Sequence, residues 1–267
     1  MNNCYCSIGH LSKKEDIETL NRMLLHNYSI ISQFNYIVVH QNCSDVAEPY
    51  LSDYDAVWRT VFGKDVIILP PKKNRGHTIG YMDSDNAVVN YAKMLPINFI
   101  YKGVNDILLG DRLLKYPVTD EYDFYFLQAI GYSGLNKFDH NIQNYMANYM
   151  TDDYLYPQTN FYIIKNTVDY INNEKDVDDA YNYCNSVRNF NGKVWEYIPN
   201  FSCEKLLGKC VIRNKFKCKH LISDAAFNEL LNLVENYKVC DCSHKNIFLE
   251  EIGVCHYHNI NQECISI

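Results

Sequence analysis

Asn98-Phe99-Ile100-Tyr101-Lys102-Gly103-Val104-Asn105-Asp106 is the stretch on which the fold and the site turn. Residues 98–101 (NFIY) read as a short buried strand, apolar and β-branched or aromatic. That strand leads through Lys102-Gly103-Val104 into a polar pair, Asn105 and Asp106. A carboxylate leaving a buried strand at a ligand-binding edge suits Mg or Mn on a diphosphate. Hard cations take oxygen ligands and share them with substrate phosphates. An Asp that caps the turn after a strand is the structural alternative.

Three more strand-helix units precede this one. Residues 4–9 (CYCSIG) suit a buried strand, and Ser12 with Glu15 three residues on forms a capping-box pattern. Ile17, Leu20, Met23, Leu24 and Tyr28 then recur at helical spacing. Residues 36–40 (YIVVH) form a second strand, and residues 44–63 a helical region with Tyr54, Val57, Trp58 and Val61 on one face. Residues 65–69 (DVIIL) form a third strand, closed by Pro70 and Pro71. Asp83 or Ser84 is the expected cap of the next helix, whose Val88, Tyr91 and Ala92 face inward.

Strands that alternate with helices imply a parallel sheet with right-handed crossovers and helices on both faces, an α/β architecture. Ligands of such sheets bind outside the carboxyl ends of the strands. The polar residues there are His10, Gln41, Asn42, the 72–78 loop, Asn105 and Asp106. The second half is less regular. Residues 123–132 and 159–165 look like aromatic-rich strands, and residues 177–189, 204–213 and 225–237 like helices. From 239 onward the chain turns Cys/His-rich, and 239–267 is read as a small appendage.

The 267 residues carry 25 basic and 32 acidic side chains, a net charge of -7. An acidic body disfavours general nucleic-acid binding, which wants a basic field. No apolar run reaches the roughly 18 residues of a membrane span. The opening MNNCYCSIGH lacks the pattern of a secretory signal, so a cytoplasmic location is expected, with the eleven cysteines reduced. The 23 tyrosines and many asparagines suggest an AT-rich, viral genome, and hence a host cytoplasm. The P-loop, G-x-G-x-x-G and G-x-S-x-G patterns are absent.

Three constellations remain. In Asn74-Arg75-Gly76-His77-Thr78, preceded by Lys72 and Lys73, three cations in four positions on an acidic protein suit a small phosphorylated ligand. A solvated basic turn is the competing reading. Asp83-Ser84-Asp85 spells D-x-D, but at an expected helix start, where Asp favours the helix dipole without any metal; it is the second choice for a metal. Cys240, Cys242 and His244 with Cys255, His256 and His258 could supply four ligands to a structural zinc. Their spacing fits no standard finger, and packing is the preferred reading.

The strand-helix steps, the basic Asn-x-Gly loop and the acidic pair after an apolar strand resemble GT-A nucleotide-diphospho-sugar glycosyltransferases. The segments NRGHTIGYMDSDNAVVNYAK, NFIYKGVNDILL, DFYFLQAIGYSGL, YPQTNFYII and WEYIPNFSCEKLL are similar to glycosyltransferase-like proteins of large viruses and marine phages. The resemblance implies a base and ribose site at Gly9, His10 and Asn42. It implies donor contacts from Lys73, Asn74, Arg75 and Thr78, and a D-x-D equivalent at Asn105 and Asp106. There Asn replaces one acid, which weakens the case for metal. It also implies a general base, for which Glu204 at an expected helix start is the candidate, and an acceptor wall at Trp195. The expected domain is 1–238, with a nucleotide-binding half of about 1–115 and an acceptor half of 116–238. The expected activity moves a sugar from a nucleotide donor to a glycan or other hydroxyl acceptor with Mn or Mg. The alternative is a non-catalytic GT-A-like binding module.

Overall fold

The computed structural model describes residues 2–45, 47–71, 75, 77–128, 157–167, 207–208, 210–212, 214–223, 225–226, 229 and 251–256. β1 (Asn3–Leu11) is followed by α1 (Asp16–Ile31), β2 (Tyr36–Cys43), a single 3-10 turn (Glu48–Tyr50), α2 (Leu51–Phe62) and β3 (Ile67–Leu69). α3 (His77–Ala92), β4 (Phe99–Val104), β5 (Ile107–Leu109) and α4 (Arg112–Lys115) come next. β6 (Phe124–Gln128), β7 (Pro157–Lys165), β8 (Cys218–His220) and β9 (Val254–His256) complete the described elements. Seven strands form one sheet in the order β3-β2-β1-β4-β7-β6-β8. β1, β2, β3 and β4 are parallel, and β7 runs antiparallel to both of its neighbours. The expected α/β architecture, a mostly parallel sheet flanked by helices, is what the chain adopts.

Central strands covered on both faces need no polar alternation. Cys4, Tyr5, Cys6 and Ile8 of β1 are all buried, as are Val38 and Val39 of β2. α2 puts Tyr54 and Trp58 into one face of the sheet, while α3 covers the other. The strands expected around 65–69 and 98–101 are Ile67–Leu69 and Phe99–Val104, so β4 runs on through Lys102. β6 accounts for the front of the strand expected over 123–132; residues 129–132 lie outside the described ones. The helix expected at 204–213 appears at 207–208 and 210–212, and that at 225–237 at 225–226 and 229. The helix expected at 177–189 lies outside the described residues.

Two expected helix starts are corrected. α1 begins at Asp16, and its own Asp16 carboxylate accepts the amides of Ser12 at 2.8 Å and Lys13 at 3.0 Å. A carboxylate in the first turn does the work assigned to a Ser12 cap, with the helix dipole in its favour. α3 begins at His77, so Asp83, Ser84 and Asp85 stand well inside a helix rather than at its cap. All three are buried. Short polar side chains in mid-helix normally favour competing local structure, and here partners on the sheet outweigh that preference.

Those partners lie along one stripe of α3. Ser84 Oγ meets His40 Nδ1 of β2 at 3.0 Å and bonds back to the Gly80 carbonyl at 2.9 Å. Asp85 lies 3.4 Å from the ammonium of Lys102, which has no exposed surface. The Tyr162 hydroxyl of β7 donates to both oxygens of Asp85, at 2.9 and 3.0 Å. The Lys102 ammonium also bonds the Tyr81 hydroxyl and lies 4.3 Å from the centre of that ring. One turn on, the buried Cys6 thiol donates to the Val88 carbonyl, and burial holds it protonated well above its ordinary range. Polar contacts thus hold α3 across β2, β1, β4 and β7.

Breaking one partner of a buried ion pair leaves the other charge uncompensated. Lys102→Met should therefore cost about 3–5 kcal/mol of unfolding free energy, while the paired Lys102→Met, Asp85→Leu change should recover most of it. Urea denaturation of both variants checks this; a Lys102→Met protein of wild-type stability would show that the pair does not hold the helix.

Candidate functional site

The strand order reverses direction between β1 and β4: β1 leads outward to β2 and β3, and the chain returns to β4 on its other side. A crevice opens at such a switch point because the crossover connections leave the two strands on opposite faces. Gly9 and His10 end β1, Gln41 and Asn42 end β2, and Asn105 and Asp106 follow β4. The register brings them together, pairing Gly9 with Gln41, His10 with Asn42, and Ile8 with Val104. The Asn105 amide donates to the Ile8 carbonyl at 3.0 Å. Gly9, His10, Asn42, Asn105 and Asp106, implicated from sequence, therefore share one edge of the sheet.

On the α2 face of that edge the packing is tight. A Cβ on Gly9 would lie 2.6 Å from Asn105 Nδ2 and 2.7 Å from Gln41 Oε1, closer than carbon tolerates. Asn105 Nδ2 donates to the hydroxyl of Tyr54, which α2 delivers with no exposed surface. Burial, reinforced by the negative charge of Asp106, pushes the Tyr54 phenol far above its ordinary range, so it stays neutral and accepts that bond. Gln41 is 1% exposed, yet its Oε1 and Nε2 have no hydrogen-bond partner, and neither does Asn42 Oδ1 on the opposite face. An unsatisfied buried amide group costs about 1–3 kcal/mol. Both side chains are suited to a ligand, or a water, that supplies the missing partners.

Arg75 lies between β3 and α3. Arg75 grips Asp83 with Nε at 2.7 Å and Nη2 at 2.6 Å, a side-on fork. Thr78 lies in the first turn of α3, and Lys73 and Asn74 lie outside the described residues. The D-x-D of the sequence is thus engaged twice over, Asp83 with Arg75 and Asp85 with Lys102. Its two carboxylates are neutralised by cations of the chain, and it sits inside a helix rather than at a cap.

β5 follows Asp106 immediately and pairs antiparallel with β9, so Ile107 lies opposite His256 and Leu108 opposite Cys255. Ile252 and Val254 are buried in the common core, and the Gly110 amide bonds the Gly253 carbonyl at 2.7 Å. Part of the Cys/His-rich segment is therefore carried to the strand end that bears Asp106. Cys240, Cys242, His244 and His258 lie outside the described residues, as do Glu204 and Trp195. Among the described residues no group of three His, Cys, Asp or Glu side chains could hold a metal ion. Asp120, Glu121 and Asp123 stand before β6 at the opposite edge of the sheet. There Asp120 meets Lys165 at 3.3 Å, and Glu121 meets Lys217 at 2.9 Å. Asp123 accepts the Lys217 amide at 2.9 Å in the turn that leads into β6.

Sequence reasoning passed over Lys102 and Tyr54. A lysine inside FIYKGV carried a signal, since a buried strand tolerates an ammonium only with a partner. Tyr54 carried none, because its spacing on α2 is that of an ordinary core residue. No helix among the described residues is long and apolar enough to cross a membrane.

No family model and no curated protein matches the sequence. Among solved structures the chain is similar to the glycosyltransferase GlyE of Streptococcus pneumoniae TIGR4, with a TM-score of 0.42 and 10% identity. The similarity covers 100% of this chain and 57% of that one, so the chain spans little more than half the length of the structure it matches.

Proposed function

We propose that the chain is a nucleotide-sugar-dependent glycosyltransferase of the GT-A kind, with its donor in the crevice between β1 and β4. The observation that carries this reading is the convergence at a topological switch point. Gly9, Gln41, Asn42, Asn105 and Asp106 meet there, and two buried amides lack partners. The base and ribose occupy the Gly9, His10, Gln41 and Asn42 end, and the diphosphate lies toward Asp106. A Mn or Mg ion fits there, because such ions keep one or two protein ligands and fill the remainder with phosphate oxygens and water. Asp106 supplies a carboxylate, the ligand type that such hard cations take. When bound, the cation neutralises charge on the departing diphosphate. In the transfer, an acceptor hydroxyl oxygen bonds to the anomeric carbon as the bond to the diphosphate oxygen breaks, and Glu204 takes the hydroxyl proton. Trp195 offers a flat apolar face to the acceptor.

A second reading, a non-catalytic module that binds a nucleotide on the same scaffold, is favoured by one feature. Asp83 and Asp85 are tied to cations of the chain, which leaves Asn105 beside Asp106 where a second acid would strengthen a metal site. It predicts binding without turnover.

A thermal-shift series with UDP- and GDP-sugars, with and without Mn, tests the reading. Ligand at about 100 times Kd adds about 2.7 kcal/mol to the native state, a rise of several degrees in a protein of this size. Asp106→Ala should remove the Mn-dependent part of that rise. A Mn-dependent rise that survives in this variant would move the metal elsewhere. Gly9→Ala drives a Cβ into the Asn105 and Gln41 amides and displaces Asn105 from the buried Tyr54 hydroxyl. It should therefore cost about 1–3 kcal/mol of stability, read by urea denaturation, and weaken donor binding at least about tenfold, read by calorimetry. Glu204→Gln should lower turnover by about 10²–10⁴-fold with donor affinity retained; normal turnover would remove Glu204 from the mechanism.

A further inference from the structure

We propose that Asn27 is a positioning residue, whose side-chain amide fixes the main chain that carries Asp106 to the carboxyl edge of the sheet. What Asp106 does there rests on the donor reading above; the clamp rests on its own geometry. The buried residues of α1 are Leu20, Met23, Leu24, Asn27, Ile30 and Ile31, an apolar stripe with one amide in it, 2% exposed. Neither helix propensity nor burial favours asparagine at such a position. Its contacts do. Asn27 Nδ2 donates to the Ile107 carbonyl at 2.6 Å, and Asn27 Oδ1 accepts the Leu109 amide at 2.8 Å. A carbonyl can only accept and an amide N–H can only donate, so the side chain has one orientation that satisfies both.

The clamp meets β5 on the side away from β9. In an antiparallel pair alternate residues face the partner strand, and the Gly110 amide donates to Gly253. Ile107 and Leu109 are therefore turned to the opposite side, where Asn27 meets them. Ile107, Leu108 and Leu109 are all buried, so water is not at hand for those two backbone groups. Asn27 thus stands in for a neighbouring strand. On the other side of Asp106, the Asn105 amide donates to the Ile8 carbonyl at 3.0 Å. Asp106 is the residue between these two anchors, one on β1 and one on α1, the helix that follows β1 in the chain. A ligand-binding carboxylate has to be held to within about 0.5 Å, and an anchor on each side of it serves that end.

Two variants of the full chain test this. Asn27→Leu continues the apolar stripe and removes both bonds. Hydrogen exchange of its Asn105 amide, across Asp106 from the clamp, should rise at least about tenfold more than that of Val38 and Val39 in the central sheet. In calorimetric titration with UDP and with GDP, the Mn-dependent part of the affinity should fall about 5- to 50-fold, while the Mn-free affinity stays within about twofold of wild type. Asn27→Asp keeps the shape, and its neutral form, which burial favours, can both donate and accept. Its affinity relative to wild type should therefore recover between about pH 8 and about pH 6, and that of Asn27→Leu should not. An exchange rise at Asn105 no larger than that at Val38 and Val39 is global destabilisation alone and overturns the proposal. So does Mn-dependent binding as tight as wild type in both variants. Should Asn27→Leu not fold, the absence of recovery in Asn27→Asp overturns it. If neither nucleotide binds the wild-type chain, the donor reading fails, and the exchange at Asn105 still decides whether Asn27 holds this segment.

Discussion

The Lys102 ammonium, wholly buried 3.4 Å from Asp85 and in contact with two tyrosines, is the interaction on which the arrangement of this half of the sheet depends. An unpaired ammonium would be too costly to bury, so α3 must lie where Asp85 reaches it. With Asp85 set over β4, the helical repeat sets Ser84 over His40 and Val88 over Cys6. The same placement fixes the N-terminal turns of α3, and with them the Arg75–Asp83 pair, at the carboxyl edge of the sheet. Apolar contact alone would allow the helix to slide; a charge that needs its partner does not.

β4 then serves two ends. Its interior carries Lys102, and its exit carries Asn105 and Asp106 to the carboxyl edge of the sheet beside β1. The two faces at that exit differ in character. On the α2 side, Gly9, Gln41, Asn105 and the neutral Tyr54 make a close-packed polar corner, where each group has room only because Gly9 lacks a Cβ. On the α3 side, the buried Asn42 has an Oδ1 with no hydrogen-bond partner. Orphaned amides of this kind destabilise the protein when it is alone, and groups that bind a ligand commonly carry that burden.

The β5–β9 pairing adds a connection between distant parts of the chain. Ile107 and His256 are far apart in sequence and directly opposite in register. A segment that looks like a loose Cys/His-rich tail therefore contributes a strand and buried core residues next to Asp106.

Much of this was legible in the residues themselves. The runs CYCSIG, YIVVH, DVIIL and NFIY, separated by amphipathic helices, determine an α/β sheet and place His10, Asn42, Asn105 and Asp106 at strand ends, because hydrophobic period and strand direction are local properties. Local pattern also pointed to Arg75. It misplaced the starts of α1 and α3, since capping preferences are weak beside partners supplied from elsewhere in the fold. What only the tertiary structure decided are the pairings: Asp83 with Arg75, Asp85 with Lys102, Tyr54 with Asn105, and β9 with β5. Each joins side chains or strands whose spacing carries no period, and whether an acid meets a metal, a cation or water depends on what the fold brings within about 3 Å of it.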